Sequence, residues 1–141
     1  TVALMTQVIT ELSSLTDVPL LIDTTDPATL EAGLKAYPGR ALINSVSAEP
    51  DRIKEFLPLA KRYGAAVLCL PLSEDGIPAT PEDRLKTAEV IRNAALQAGL
   101  TDQDLALDPL VLPVATDKDA INITLNTLML YRTTLAFPTI M

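Results

Sequence analysis

The sequence predicts an α/β fold with a parallel sheet, and three observations lead to it. Short apolar runs at 20–22, 41–43, 65–70 and 105–107 alternate with longer stretches whose apolar residues recur at helical spacing. The first run is flanked by polar residues on both sides and reads as a parallel strand covered on both faces. Soon after a strand, a helix-start signal follows, as in Asp26-Pro27 and Thr80-Pro81. Strands alternating with helices at this spacing imply right-handed crossovers.

Residues 2–15 place Met5, Val8, Ile9, Leu12 and Leu15 on one face of an opening helix. The strand at 20–22 runs into Asp23, which falls at the carboxyl end of a central strand, where such folds place ligands. A helix over about 27–36 buries Leu30, Gly33, Leu34 and Tyr37 and stops at Pro38-Gly39. The second strand, 41–43, ends at Asn44-Ser45, and Ser47 is the capping residue before the next helix. That helix carries Ile53, Phe56, Leu57, Ala60 and Tyr63 on one side, and Pro58 inside it predicts a kink or a split.

Gly64 ends the third helix, 65–70 forms the third strand, and 71–79 is a loop in which Glu74-Asp75-Gly76 reads as a solvated turn. Thr80-Pro81-Glu82-Asp83 starts a helix with Leu85, Ala88, Ile91, Ala95 and Ala98 on its stripe, closing at Gly99. The fourth strand, 105–107, ends at Asp108-Pro109. Thr116 with Asp119 is a capping-box variant for a last helix whose inner face holds Ile121, Leu125 and Leu128. The closing run Phe137-Pro138-Thr139-Ile140-Met141 sits where another strand would begin.

This order, a leading helix and then about four βα units, fits a partial (β/α)8 TIM barrel better than a four-stranded flavodoxin-like sheet. Complete barrels need roughly 250 residues, against 141 here. The expectation is a single domain over 1–141, incomplete at both ends.

The composition narrows the function. A net charge of −7 with no basic cluster argues against a nucleic-acid partner, and no apolar run is long enough to span a membrane. The single cysteine, Cys69, fits a reducing, cytoplasmic setting and a packing role. The absence of histidine removes His-ligated metals and imidazole acid–base chemistry from this stretch, and no metal site is expected. No strand contains the lysine of a Schiff-base aldolase, and no glycine-rich phosphate loop follows one.

Asp23, Asn44 and Asp108 are polar strand ends to which no capping duty falls, since that duty is assigned to Asp26, Ser47 and Thr116. In a barrel the three converge on the carboxyl-terminal mouth. Two carboxylates and a carboxamide suit a ligand edge rich in N–H donors, such as an aminopyrimidinone. Equally, Asp23 and Asp108 fit residues that tie down loop N–H groups.

Several blocks then resemble a known family: Pro19-Leu20-Leu21-Ile22-Asp23-Thr24-Thr25, Gly33-Leu34, the run from Gly39 to Glu49 through Ile43-Asn44-Ser45, Tyr63-Gly64-Ala65-Ala66, Gly76-Ile77-Pro78 and the run from Asp104 through Asp108-Pro109-Leu110 to Pro113. As a set, with their spacings, they resemble the pterin-binding barrel of methyltetrahydrofolate:corrinoid methyltransferases over about residues 2–135. Dihydropteroate synthases carry an Asp-Pro-Gly type of segment, and cobalamin-dependent methionine synthases an Asp-Pro-Asn, where this chain has Asp108-Pro109-Leu110.

The resemblance implies a methyltransferase that moves the N5 methyl group of methyltetrahydrofolate to the cobalt of a corrinoid (cobalamin) carried by a partner protein. It implies that Asp23, Asn44 and Asp108 hold the pterin ring, that a further Asn acting near N5 lies beyond Met141, and that the whole protein is a homodimer. No catalytic residue is expected within this stretch, which alone should be inactive. The alternatives are a dihydropteroate synthase-like enzyme and a non-catalytic pterin-binding half-barrel.

Overall fold

In a computed structural model, which describes residues 1–113, 115 and 118–140, three helices begin on proline. These are α2 (Pro27–Ala36), α3 (Pro50–Tyr63) and α4 (Pro81–Gln97). Proline at the first helical position loses nothing, because its missing N–H would have no intrahelical acceptor. Before them lies α1 (Val2–Leu15), and α5 (Ala120–Leu130) follows. The Asp26 carboxylate caps α2 by accepting from the Thr29 N–H at 2.8 Å, and Thr80 Oγ1 caps α4 by accepting from the Asp83 N–H at 3.2 Å. Gly64 closes α3 at φ 65° and Gly99 follows α4 at φ 88°, both in the left-handed region that favours glycine.

The cap expected of Ser47 is absent. Glu49 occupies the position before α3 without a side-chain cap, and the Ser47 hydroxyl donates to Glu49 Oε2 at 2.6 Å. The expected cap at Thr116 lies outside the described residues. Pro58 leaves α3 as one continuous helix. It is exposed there, so the carbonyl it deprives of a donor is on the solvent side, where water can serve it.

Four strands form one parallel sheet in the order β1 (Leu21–Asp23), β2 (Leu42–Ser47), β3 (Ala66–Leu70) and β4 (Leu105–Leu107). Sequential order with right-handed crossovers puts the connecting helices on one face. Ile22, Ile43, Val67 and Leu105 lie side by side in the ladder and all join the core with Leu30, Phe56, Leu57, Ala60, Ala88 and Ile91 from the helices. Beside β4, Thr139 pairs in parallel with Leu107, and Leu107 N–H donates to the Pro138 carbonyl at 2.9 Å. The closing apolar run thus extends the sheet in the same direction. The fold is α/β with the partial-barrel architecture the sequence predicts.

Three expectations about burial change. β1 is the edge strand of the described sheet, not a central one, and Leu21 is 44% exposed. On α1, Ile9 is buried and Met5 packs against the core, while Val8, Leu12 and Leu15 are exposed. α1 rests chiefly on α2, so only a narrow strip of its apolar face finds a partner. On α5 the buried positions are Ala120, Thr124 and Thr127, and Ile121 and Leu125 are exposed. Packing on α4 turns the small residues inward and rotates the predicted stripe away.

β3 brings Cys69 fully into the core, where burial pushes its thiol up to about 12. A thiolate is the reactive form. Native protein is therefore expected to resist alkylation at Cys69, read by mass spectrometry after a reagent pulse, and to become fully labelled once unfolded in urea.

The α2 cap gives a pH prediction. The Asp26 carboxyl is held below the usual carboxylate range, first by the Thr29 hydroxyl and then by the Thr29 N–H. A depressed folded-state pKa adds stability that is present above the unfolded value of about 4 and lost as pH falls through the folded value. The stability gap between native protein and Asp26→Ala should therefore be widest near neutral pH and shrink below about pH 4. Urea titrations over that range check it.

Candidate functional site

Alternation along the strands decides where the three sequence-predicted residues stand. Asp23, Asn44, Leu68 and Ala106 lie side by side in the ladder, one residue beyond the core row of Ile22, Ile43, Val67 and Leu105. They consequently occupy the face opposite the helices. Asp108 N–H donates to the Cys69 carbonyl at 3.0 Å, continuing the pairing past β4. Two residues on from Ala106, Asp108 falls on that same face. All three polar residues therefore stand at the carboxyl ends of their strands, on the surface that becomes the interior in a barrel.

Asp23 and Asn44 meet directly. The Asn44 carboxamide donates through Nδ2 to Asp23 Oδ2 at 3.2 Å, with Asp23 exposed and Asn44 half-buried. This bond fixes the amide so that its oxygen turns away from the carboxylate and remains an acceptor. Asp108 stands apart from the pair, since β3 separates β2 from β4, a spacing of about 10 Å at the usual interstrand distance. Between them the β3 and β4 positions are apolar: Leu68 and Ala106 are 4% and 8% exposed. The row thus has closely packed apolar positions at its middle and acceptors at its two edges. A flat ring with N–H groups along its rim matches that pattern.

β2 runs on to Ser47 beyond the predicted end at Asn44-Ser45. Its register shifts between Asn44 and Val46, so Val46 pairs with Cys69 and both are buried. Asn44 is thereby kept on the open face while the strand continues into the core.

Asp108 has a backbone duty as well. Its Oδ1 accepts from the Leu110 N–H at 2.7 Å, the loop-fixing role that the residues left open. The second oxygen has no hydrogen bond among the described residues. Leu110 itself lies at φ 59°, a left-handed conformation that costs a non-glycine residue roughly 1–2 kcal/mol. The compensating contacts come from outside the loop: Arg84 Nη1 donates to the Pro109 carbonyl at 2.7 Å and to the Leu110 carbonyl at 2.8 Å, while Arg84 Nε donates to the Pro78 carbonyl at 3.0 Å.

Arg84 is 1% exposed, and the sequence reading did not single it out. Its signal is nonetheless present, because Arg84 shares the inner stripe of α4 with Ala88, Ile91 and Ala95. A cation on an apolar stripe needs polar partners wherever it is buried. Tyr131, also fully buried, donates through its hydroxyl to the Arg84 carbonyl at 3.4 Å, and burial raises its phenol pKa. The Ser47–Glu49 pair at the end of β2 was likewise not assigned a site role.

Other features carry less chemistry. Glu74 and Asp75 lie in a tight turn closed by reciprocal Ser73–Gly76 backbone bonds. A groove of about 560 Å³ lined by Ala28, Glu31, Lys35, Arg62 and Tyr63 lies along helices α2 and α3, away from the strand ends. There Arg62 and the Tyr63 hydroxyl both donate to Glu31, at 2.8 and 2.9 Å, so these groups are already committed to one another.

A parallel sheet in sequential order, with Asp23, Asn44 and Asp108 at its strand ends, places the protein in the barrel-type α/β class. The chain belongs to the pterin binding enzyme family, whose sequence model matches residues 2–141. It is 30% identical over 124 residues to the methionine synthase of Mycobacterium tuberculosis, which covers 84% of this chain and 10% of that protein. It is also 30% identical over 114 residues to the Mycobacterium leprae methionine synthase, covering 77% of this chain and 10% of that relative. Among solved structures, a Yersinia pestis DHPS with a pterine-sulfa conjugate superposes with a TM-score of 0.74 at 20% identity. That match covers 98% of this chain and 52% of the other and concerns the fold alone. The chain thus spans about a tenth of these methionine synthases and about half of the DHPS chain. No helix among the described residues is long and apolar enough to cross a membrane.

Proposed function

We propose that residues 1–141 form the pterin-binding part of a methyltransferase that passes the N5 methyl group of methyltetrahydrofolate to a corrinoid carried by a partner protein. The observation that carries this reading is the shared face of Asp23, Asn44 and Asp108 at the strand ends, with Leu68 and Ala106 between them. In it, the Asp108 carboxylate accepts from the exocyclic amine and an adjacent ring N–H of the pterin. Asn44, steadied by Asp23, meets another ring edge through its free amide oxygen, and the ring lies on Leu68 and Ala106. The likeness to methionine synthases supports a folate substrate over the DHPS-like alternative.

A corrinoid on the partner protein would supply the nucleophilic metal centre that accepts the methyl group, and the residues of this stretch would bind and orient the pterin. In the transfer the N5–CH3 bond would break with its electron pair left on N5, and water would supply the proton that N5 takes. A tertiary amine leaves poorly unless N5 is protonated or strongly hydrogen-bonded as the bond breaks. The acceptor edges fix the ring so that N5 faces one direction, which converts an encounter into an aligned transfer.

The experiment is methyl transfer by the whole protein from methyltetrahydrofolate to reduced free cobalamin, followed by the cobalt absorbance. A folate-dependent spectral change is expected. Pterin binding with no loss of the methyl group would contradict the transfer and favour a dihydropteroate synthase-like or purely binding role.

A further inference from the structure

We infer that Arg84 is a positioning residue for the ligand-facing carboxylate of Asp108, an inference that rests on the pterin-site reading above. Arg84 stands in the first turn of α4, remote in sequence from the β4 end, yet its buried guanidinium donates to both carbonyls that follow Asp108, those of Pro109 and Leu110. Those carbonyls fix the plane of the peptides that flank Leu110. The Leu110 N–H then holds Asp108 Oδ1 at 2.7 Å, so the direction of the carboxylate follows from the position of the guanidinium.

Three further contacts show that the arrangement is built rather than incidental. Leu110 adopts its left-handed φ of 59° without the freedom of glycine, so the loop needs external anchors to keep that shape. Thr124 on α5 gives the Leu110 carbonyl a second donor through Oγ1 at 3.5 Å. Behind Arg84, its Nε holds the Pro78 carbonyl, and the Tyr131 hydroxyl holds its own carbonyl. The guanidinium is therefore tied to the loop before α4 as well as to the loop after β4, while Tyr131, from the segment after α5, holds the Arg84 main chain. The guanidinium fork reaches acceptors on two loops at once, a geometry that a single ammonium cannot reproduce.

A double-mutant cycle on the whole protein, with methyltetrahydrofolate as the titrant, tests this. R84K is expected to weaken binding about 10-fold, the scale of a lost charge-assisted hydrogen bond. Acting through Asp108, it should lose that effect in a D108A background, where the double variant binds as D108A does to within about 2-fold. T124V, a milder change at the same Leu110 carbonyl, should give a smaller loss that also vanishes in D108A, and it decides the matter if R84K does not fold. A loss that persists undiminished in D108A, or R84K and T124V binding like the unsubstituted protein, would overturn the positioning role alone. No folate binding by the unsubstituted protein, or D108A binding like it, would overturn the pterin-site reading and this inference together.

Discussion

Replacing Asp108 by alanine is expected to weaken methyltetrahydrofolate binding by the whole protein by about 1.5–3 kcal/mol, the range of a hydrogen bond to a charged group. At about 1.4 kcal/mol per factor of ten this is roughly 10- to 150-fold in Kd. The carboxylate has one oxygen committed to the Leu110 N–H and presents the other at the strand end. Alanine therefore removes a ligand acceptor and a loop tie together. Asparagine separates the two effects: Asp108→Asn keeps an oxygen for the Leu110 N–H but has no charge. If ligand recognition dominates, Asp108→Asn should resemble the alanine variant in Kd while retaining the thermal stability of the native protein. Calorimetric titration of the three proteins, with a melting curve for each, measures both.

The largest stability loss is expected at Phe56. Its ring is 1% exposed at the centre of the α3 face that packs on β2, and the Arg52 guanidinium lies 4.3 Å from its centroid. Phe56→Ala should cost about 3–5 kcal/mol of unfolding free energy, combining lost transfer energy with the cavity left behind. Removing the ring also frees Arg52, whose Nη1 donates to the Thr25 carbonyl at 3.2 Å in the loop after Asp23. The effect should accordingly reach the edge of the site. Phe56→Leu should restore most of the stability. Urea unfolding with an unchanged m-value and a lowered midpoint is the expected signature.

The alternation of strands and helices was legible because it depends on local period and on start signals such as Asp26-Pro27 and Thr80-Pro81, which act within a few residues. The placement of Asp23, Asn44 and Asp108 on one face was legible for a similar reason: parallel pairing fixes register once strands and their order are known. Burial was less so. Leu21 reads as core by composition, yet edge or centre is decided by which strand comes next to it. The apolar stripes of α1 and α5 say that a helix can bury a face, whereas the neighbours α2 and α4 decide which residues it buries. For Asp108, a loop-tying bond was one of the two readings left open, whereas the Arg84 anchors were hidden for a third reason. They join a guanidinium to a loop through backbone carbonyls, and carbonyls are the same in every sequence.

Ser47 shows how a local signal can mislead. It precedes Glu49-Pro50 in a form that resembles a capping motif, but β2 continues through it and its hydroxyl turns to Glu49 instead. The strand's demand for its residues outweighed a cap worth about 1 kcal/mol.

The central claim is that the face bearing Asp23, Asn44 and Asp108 holds the pterin ring. A crystal structure of the whole protein with methyltetrahydrofolate tests it most directly. The account predicts the ring lying over Leu68 and Ala106, with its exocyclic amine and adjacent N–H within about 2.7–3.2 Å of the Asp108 carboxylate and another ring edge at the Asn44 amide. A ring bound elsewhere, or one on this face with Asp108 and Asn44 out of reach, would contradict it.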